Sequence, residues 1–344
     1  MSDPSTAASP QAPASPFHAG EQAMQIRAGV REQLEGVGQR MIRDQMPDQH
    51  RELFLKLPMV LLGSIDANGQ PWASVLARAS GPVDAVLGAE AGVLITSAHA
   101  KQVEIHALPH PDDPLHASLV AGAPLGMLGI EPHTRRRNRM NGLVGQVNEA
   151  GFTILVQQSF GNCPKYIQAR QVSEVVSVEQ SAEPLTQQEN ELDADMQRMI
   201  SQADTYFIAS AYMDGPPDAP NRGVDVSHRG GKAGFVRIDN ASTLTAPDFT
   251  GNFFFNTLGN ISAYPRAGLL FIDFSNGDVL YLAVDAEVIW DAEQIQQYTG
   301  AQRLMRYTIK HAIRINGGLP LRWSEAQLSP VLLATGAWGD GASA

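Results

Sequence analysis

Residues Asp225 to Val236 read Asp-Val-Ser-His-Arg-Gly-Gly-Lys-Ala-Gly-Phe-Val. They set a hydroxyl (Ser227), an imidazole (His228), a guanidinium (Arg229) and an ammonium (Lys232) around the Gly230-Gly231 pair, in a strand–turn–strand pattern. Glycines let a backbone approach a ligand without a Cβ clash. Arginine forks onto phosphate oxygens, and lysine adds a point charge. Further along, Gly251 to Asn260 supplies Asn256, Thr257 and Asn260 at what reads as a helix start, where unpaired N–H groups hold anions. A third polar segment, Gln157 to Arg170, follows a strand and carries Asn162, Lys165 and Arg170 beyond a Gly-Asn turn. Many donors and few acids suit a phosphorylated ligand. From spacing alone the same segments also read as an exposed hairpin tip, a simple N-cap and a polar turn.

The composition narrows the partners. The chain has 344 residues, enough for two domains of ordinary size. It is 43% hydrophobic and 18% charged, so it buries a sizeable core. The net charge of −11 argues against nucleic acid and anionic membranes as partners, and any anion site must be local. Cys163 is the only cysteine, which excludes an intrachain disulfide framework and fits a reducing cytoplasm. No apolar run approaches the roughly 20 residues of a membrane span. Met1 to Pro16 is rich in Ser, Ala and Pro without a basic and then apolar region, so residues 1–17 read as a disordered tail.

The elements that would position these residues follow in order. Phe17 to Met46 reads as one amphipathic helix, with Ile26, Val30, Leu34, Val37 and Met41 in a stripe and His18 and Glu21 solvated near its start, contact with a ligand being their alternative. Met59 to Ile65, the turn Asp66 to Gly69, and Pro71 to Leu76 form a hairpin. Gly92 to Ser97 and Phe152 to Gln157 are further strands. Leu125 to Ile130 and Leu143 to Val147 flank a polar tip, Arg135 to Arg139. Short strands with turns between them suggest a small antiparallel barrel. Ser173 to Pro184 reads as a linker, and Thr186 with Glu189 as the capping box of a helix bearing Leu192, Met196 and Ile200.

The second half then repeats the first. Thr205 to Ser210 matches the strand ending at Ser64. Ala267 to Asp273 matches Leu125 to Glu131, and Gly317 to Trp323 loosely matches Gly161 to Tyr166. The order is kept and the offset is nearly constant. Two units are too few for a solenoid, so the pattern implies two copies of one β-barrel packed as a pseudo-dimer. Asp291 to Arg306 and Ser324 to Thr335 read as short closing helices. The fold expectation is mainly β with flanking helices. Residues 18–172 form a helix and first barrel, 173–203 a linker and helix, and 204–335 a second barrel.

Other chemistries find little support. His106 and His110 stand four apart, but Pro109 and Pro111 oppose a helix there, so no metal spacing emerges among the nine histidines. Cys163 has no assignable His–acid pair and reads as a small buried thiol. Arg135 to Arg139 reads as a solvated hairpin tip, with a phosphate or an acidic partner patch as the alternative. There is no Gly-x-Ser-x-Gly elbow, and no Gly-x-Gly-x-x-Gly follows a strand.

Together the segments Ser227 to Val236, Asn256 to Asn260, Pro265 to Asp273, Leu128 to Glu131, Thr134 to Gly142 and Gly161 to Gln168 make a specific set. The chain resembles the pyridoxamine 5′-phosphate oxidase-related FMN-binding split-barrel proteins, and more narrowly their double-barrel flavin-nucleotide-binding subgroup, from about His18 to Trp323. The resemblance implies two tandem split β-barrels forming a pseudo-dimer, with FMN in the groove between them. It puts Ser227, His228, Arg229 and Lys232 on one phosphate-binding element and Asn256, Thr257 and Asn260 on the next. Asn162, Lys165 and Arg170 would face the flavin from the other barrel. FAD is possible on the same fold.

Two departures stand out. Asn252 to Phe255 is aromatic where relatives often carry basic residues, and Ala79 to Val83 lacks the Arg-Gly-Gly-Lys character of its counterpart. One flavin site per chain is expected, with the first barrel a degenerate partner. The implied function is a cytoplasmic flavin-dependent oxidoreductase acting on a small molecule or drawing electrons from a donor such as NAD(P)H, as a possible homodimer. A non-catalytic or stress-related flavin module, or a flavin component served by a separate reductase, are the alternatives. The catalytic residues are unknown, and His228 is the best single guess for an acid or base because imidazole titrates near neutrality.

Overall fold

Strands buried on both faces carry continuous apolar runs rather than alternating ones, and the central strands of this chain are of that kind. The computed structural model describes residues 14–78, 93–176, 185–216 and 219–339. The chain is mostly β with few helices. Strands β1 (Met59–Ile65), β2 (Pro71–Ala77), β3 (Ile95–Thr96), β4 (Gln102–Ile105), β5 (Pro124–Glu131), β6 (Arg136–Asn148) and β7 (Gly151–Gly161) form one antiparallel sheet in the order β2-β1-β5-β6-β7-β4-β3. After β8 (Val172–Val175) and β9 (Thr186–Glu189), a second sheet contains β10 (Thr205–Tyr212), β11 (Gly223–Gly230), β12 (Arg237–Asn240), β13 (Thr243–Asp248), β14 (Arg266–Ile272), β15 (Val279–Ile289) and β16 (Arg303–Ile315). Its order is β11-β10-β14-β15-β16-β13-β12, with β9 added along β16. The two orders are the same when β1 is aligned with β10. Both sheets are open. A final strand, β17 (Leu321–Trp323), pairs with β8.

Alternation along each central strand sends its side chains to two different cores. On β10, Tyr206 and Ile208 enter a core inside the second sheet, while Phe207, Ala209 and Ala211 enter a core shared between the sheets. On β14, Leu269 and Phe271 go inward, and Leu270 and Ile272 go to the shared core. The first sheet does the same: Val60 and Leu62 of β1 face its own core, and Met59 and Leu61 the shared one.

Glycines bring the sheets into backbone contact. A Cβ on Gly126 of β5 would lie 2.7 Å from Asp225 Cα in β11, and one on Gly268 of β14 would lie 2.5 Å from Trp72 Cα in β2. The contacts are reciprocal, since β5 corresponds to β14 and β2 to β11.

The helices are α1 (Ala19–Arg27), α2 (Arg31–Met41), α3 (Asp48–Phe54), α4 (Pro114–Ser118), α5 (Ala194–Gln202), α6 (Asn256–Ala263) and α7 (Ala292–Ile295). Four expectations need correction. The single helix expected over Phe17 to Met46 breaks at Gly29, whose φ of 70° lies in the left-handed region. Its stripe is split accordingly, and Ile26 and Met41 are exposed. Thr186 and Glu189 lie in β9, and the following helix is capped by Asp193, which accepts from Met196 N at 2.7 Å. The helix expected over Asp291 to Arg306 is the short α7, because the chain enters β16 at Arg303, and a 3-10 turn, Pro330–Ala334, stands within Ser324 to Thr335. The polar tip at Arg135 to Arg139 is a turn only at its start, since β6 runs from Arg136. Residues 79–83, most of the tail and the linker from residue 177 lie outside the described residues.

Candidate functional site

A cleft lies between the sheets, and its strongest charges come from a strand the sequence presents as a hairpin tip. Arg137 and Arg139 stand two apart on β6, so they share a face. Arg139 is 4% exposed. It donates to Asn256 Oδ1 (3.0 Å) and to Ser227 Oγ, and its Nη1 is 3.7 Å from Asp225 Oδ1. The Thr257 hydroxyl also donates to Ser227 Oγ, at 2.9 Å. Arg137 donates only to main-chain carbonyls, Cys163 O at 2.8 Å and His228 O at 3.4 Å.

The second sheet supplies the opposite wall. Ser227 to Gly230 belong to β11 rather than to a hairpin tip, paired with β10, so Ser227 and His228 are buried. Arg229 Nη1 approaches Asp248 Oδ1 at 3.4 Å, and Arg303 Nε and Nη2 each reach Asp248 Oδ2 at 2.9 Å. Asp248 and Arg303 are direct cross-strand partners on β13 and β16. The cleft thus gathers four guanidiniums (Arg137, Arg139, Arg229, Arg303) against one lining carboxylate, Asp248. Phe249, Phe253 and Phe255 also line it. Phe253 and Phe255 hold left-handed φ values of 61° and 63°, a costly state for aromatic residues that clusters at ligand sites. Phe255 is the N-cap of α6 and offers no side-chain cap, so Asn256 and Thr257 lie in the first turn of the helix.

Four buried side-chain nitrogens on residues lining this one cleft lack a hydrogen-bond partner: Arg139 Nε, Arg229 Nε, Asn162 Nδ2 and His228 Nδ1. Buried polar groups are seldom left so, and each unmet group costs about 1–3 kcal/mol. Burial, with Arg139 and Arg229 beside it, pushes the Arg137 guanidinium down to about 9. A bound anion would relieve that crowding. Burial and the neighbouring Arg137, Arg229 and Arg170 hold His228 well below its ordinary range. The charged form is therefore disfavoured, and of the two roles read for His228, acid or base, burial disfavours the acid.

Behind Asn256 lies a second polar cleft sealed by α1. Asn260 Nδ2 donates to Ser210 Oγ (3.0 Å) and Asp225 Oδ2 (3.2 Å), and Asn260 Oδ1 meets His18 Nε2 at 2.8 Å. Glu21 Oε2 accepts from His18 N at 2.9 Å, and Glu21 Oε1 accepts from Asn256 Nδ2. His18 and Glu21, read from sequence as solvated, are both buried because α1 packs across α6 at Gly20 and Gly259. Burial raises the Glu21 carboxyl from 4.5 to about 8 against these hydrogen bonds, with nearby Asp225 adding to the rise. A raised acid is bound to its proton in the folded state. Its contribution is fully present below pH 4.5 and is lost as pH rises through about 8. Glu21→Gln should keep the cap and flatten the fall in stability between pH 5 and 8 by up to about 1.4 kcal/mol per pH unit in urea titrations. An unchanged slope would show that Glu21 ionises in place.

The sequence candidates divide between these places. Ser227, His228, Arg229, Asn256, Thr257 and Asn162 line the main cleft. Asn260 belongs to the second cleft, and Lys165 to an extension of the first. Lys232 turns away, its Nζ donating to Thr335 O. Arg170 also lies elsewhere, paired with Asp204 at 2.6 Å and stacked 4.5 Å over Phe274. Sequence reading gave the Arg135 to Arg139 run a phosphate only as its second reading, behind a solvated tip, and did not single out Asp248 or Arg303. The period-two spacing of Arg137 and Arg139 was the available signal. Asp248 and Arg303 meet only through strand register, which leaves no local trace. The donor-rich, aromatic-walled cleft fits a planar cofactor carrying a phosphate.

No protein-family model matches the chain, and no curated protein matches it. Solved structures similar to part of it include a candidate pyridoxamine 5′-phosphate oxidase from Lactobacillus delbrueckii, at 15% identity and a TM-score of 0.27. Others are a FAD-binding protein from Mesorhizobium loti, at 14% and 0.25, and HupZ of Group A Streptococcus, at 13% and 0.29. Each is matched over 98% of its own length and covers 38% of this chain.

Proposed function

We propose that this chain is a flavin-binding protein of split-barrel type, and that it is a flavin-dependent oxidoreductase acting on a small molecule. The observation that carries the reading is the convergence of four unmet nitrogens and four guanidiniums on one aromatic-walled cleft. The identical strand orders and the reciprocal glycine contacts support a tandem pseudo-dimer, in which one chain builds both walls of a single flavin site.

In this reading Arg139, Arg229 and the first turn of α6 hold the flavin phosphate. Arg139 is fixed for that role by Ser227, Asn256 and Asp225. Asn162 offers its amide to an acceptor of the ligand, and Phe249, Phe253 and Phe255 keep water from the ring. When bound, the flavin supplies hydride or electron-pair transfer. FMN is the first choice and FAD the second.

The purified protein should show the two near-ultraviolet and blue absorption bands of a flavin, or acquire them on adding FMN, and mass measurement of the released compound should name it. A colourless protein that takes up neither FMN nor FAD contradicts the reading. The alternative reading is a flavin module without catalysis of its own. NAD(P)H consumption under air by the flavin-loaded protein separates the two.

A further inference from the structure

The main cleft does not end at the four guanidiniums. It continues through Arg137, Cys163, His228, Arg229 and Phe249 into an extension walled by Lys165, Tyr166, Phe235 and Pro247. The residues lining the extension include two guanidiniums and one ammonium and no carboxylate. Arg229 is already paired with Asp248. Arg137 reaches only carbonyls, and Lys165 makes no hydrogen bond or ion pair with any described residue. A flavin mononucleotide brings one phosphate, with a charge of about −1.5 to −2, and Arg139, Arg229 and α6 already provide for it. Arg137 and Lys165 are therefore cations in excess of that need.

The same extension carries a flat apolar face. Tyr166 and Phe249 stack at 5.0 Å with 28° between their planes, and both are half-buried. Tyr166 is held in the left-handed region at φ 66°, and its hydroxyl donates to Thr250 O at 3.1 Å. Such a conformation costs a tyrosine about 1–2 kcal/mol, and it fixes the ring across the end of the cleft. Gly230 is required there, since a Cβ on it would lie 2.0 Å from Tyr166 O. A planar face next to spare cations is what a base joined to a phosphate needs.

We propose that this extension is a nucleotide subsite: a purine ring stacks on the Tyr166–Phe249 pair, and its 5′-phosphate lies between Arg137 and Lys165. The moiety is an adenylate, which two sources share, the distal half of FAD and the adenylate half of a nicotinamide dinucleotide seated beside FMN. The placement beside the flavin rests on the flavin reading, whereas the subsite itself is measured separately.

The test compares FMN, FAD and adenosine 5′-monophosphate as titrants of the full chain and of Lys165→Met, a variant that breaks no ion pair. If FAD is the source, FAD binds at least tenfold more tightly than FMN, and Lys165→Met removes that advantage while FMN affinity stays unchanged. If a second dinucleotide is the source, the FMN-loaded protein binds adenosine 5′-monophosphate, and Lys165→Met weakens it about tenfold. FMN binding with no preference for FAD and no binding of the monophosphate overturns the subsite and leaves the flavin reading standing. Absence of all flavin binding overturns the flavin reading. In that case the monophosphate titrated alone decides: Lys165-dependent binding supports the subsite, and none overturns it.

Discussion

Replacing Arg139 with methionine should lower the stability of the chain by about 3–5 kcal/mol and weaken flavin binding by more than 100-fold. The size follows from what the guanidinium leaves behind. Arg139 lies within hydrogen-bonding reach of Ser227 and Asn256 and beside Asp225, which is 4% exposed. Removing one partner of a buried charge pair strands the other, and such losses run to about 3–5 kcal/mol. Burial already pushes the Asp225 carboxyl up, against the pull of Arg139 and Arg229. Without Arg139 it should rise further. Part of the lost stability should therefore return as pH falls toward the ordinary value of 3.8, because the variant's folded Asp225 takes up a proton at a pH where the unfolded chain does not. On the binding side, charge-assisted hydrogen bonds contribute about 1.5–3 kcal/mol each, so losing two bonds to one phosphate accounts for the 100-fold. Urea unfolding at pH 5 and pH 8, with flavin titration of the same samples, checks both. A loss below about 1 kcal/mol would mean that Arg139 is solvated.

The second large effect concerns the contact that places β14 against β2. Gly268→Ala should destabilise the chain by about 3 kcal/mol, at the upper end of overpacking costs. Its Cβ would fall 2.4 Å from Pro71 O and 2.5 Å from Trp72 Cα, both backbone atoms of the facing strand. Neither moves aside as a side chain does. The sheets would have to separate, and the shared core of Leu61, Phe207, Leu270 and their neighbours would open with them. Gly36→Ala is the matched control: it sits inside α2 with only the tip of Arg40 nearby, at 3.4 Å. That change should stabilise by about 0.5–1 kcal/mol through helix propensity. Equal effects at the two positions would show that the sheets do not pack through their glycines.

Much of this architecture is legible in the amino-acid sequence, for identifiable reasons. The hairpin of β1 and β2 carries its own turn, Asp66 to Gly69, so its signal is local. The duplicated runs ending at Glu131 and Asp273 announce β5 and β14, because strands buried on both faces leave long apolar stretches. Gly29 was the available sign that the first helix would break. The site divides in the same way. Ser227, His228 and Arg229 stood out through residue type, and Asn256 and Thr257 through the helix start. Arg137 and Arg139 were hidden by a strand polar enough at one end to resemble a tip. Asp248 meets Arg303 across 55 positions of chain, which no local pattern encodes. Lys232 shows the converse error, since its charge is spent on Thr335 O.

The central claim is that the cleft between the sheets recognises a flavin through its phosphate. Titration of the purified chain with FMN and, separately, with riboflavin, followed by flavin fluorescence, tests it most directly. FMN should bind at least 100-fold more tightly than riboflavin, the ratio expected from two or more charge-assisted bonds to the phosphate. Equal affinity for the two, or binding of neither, would contradict the account.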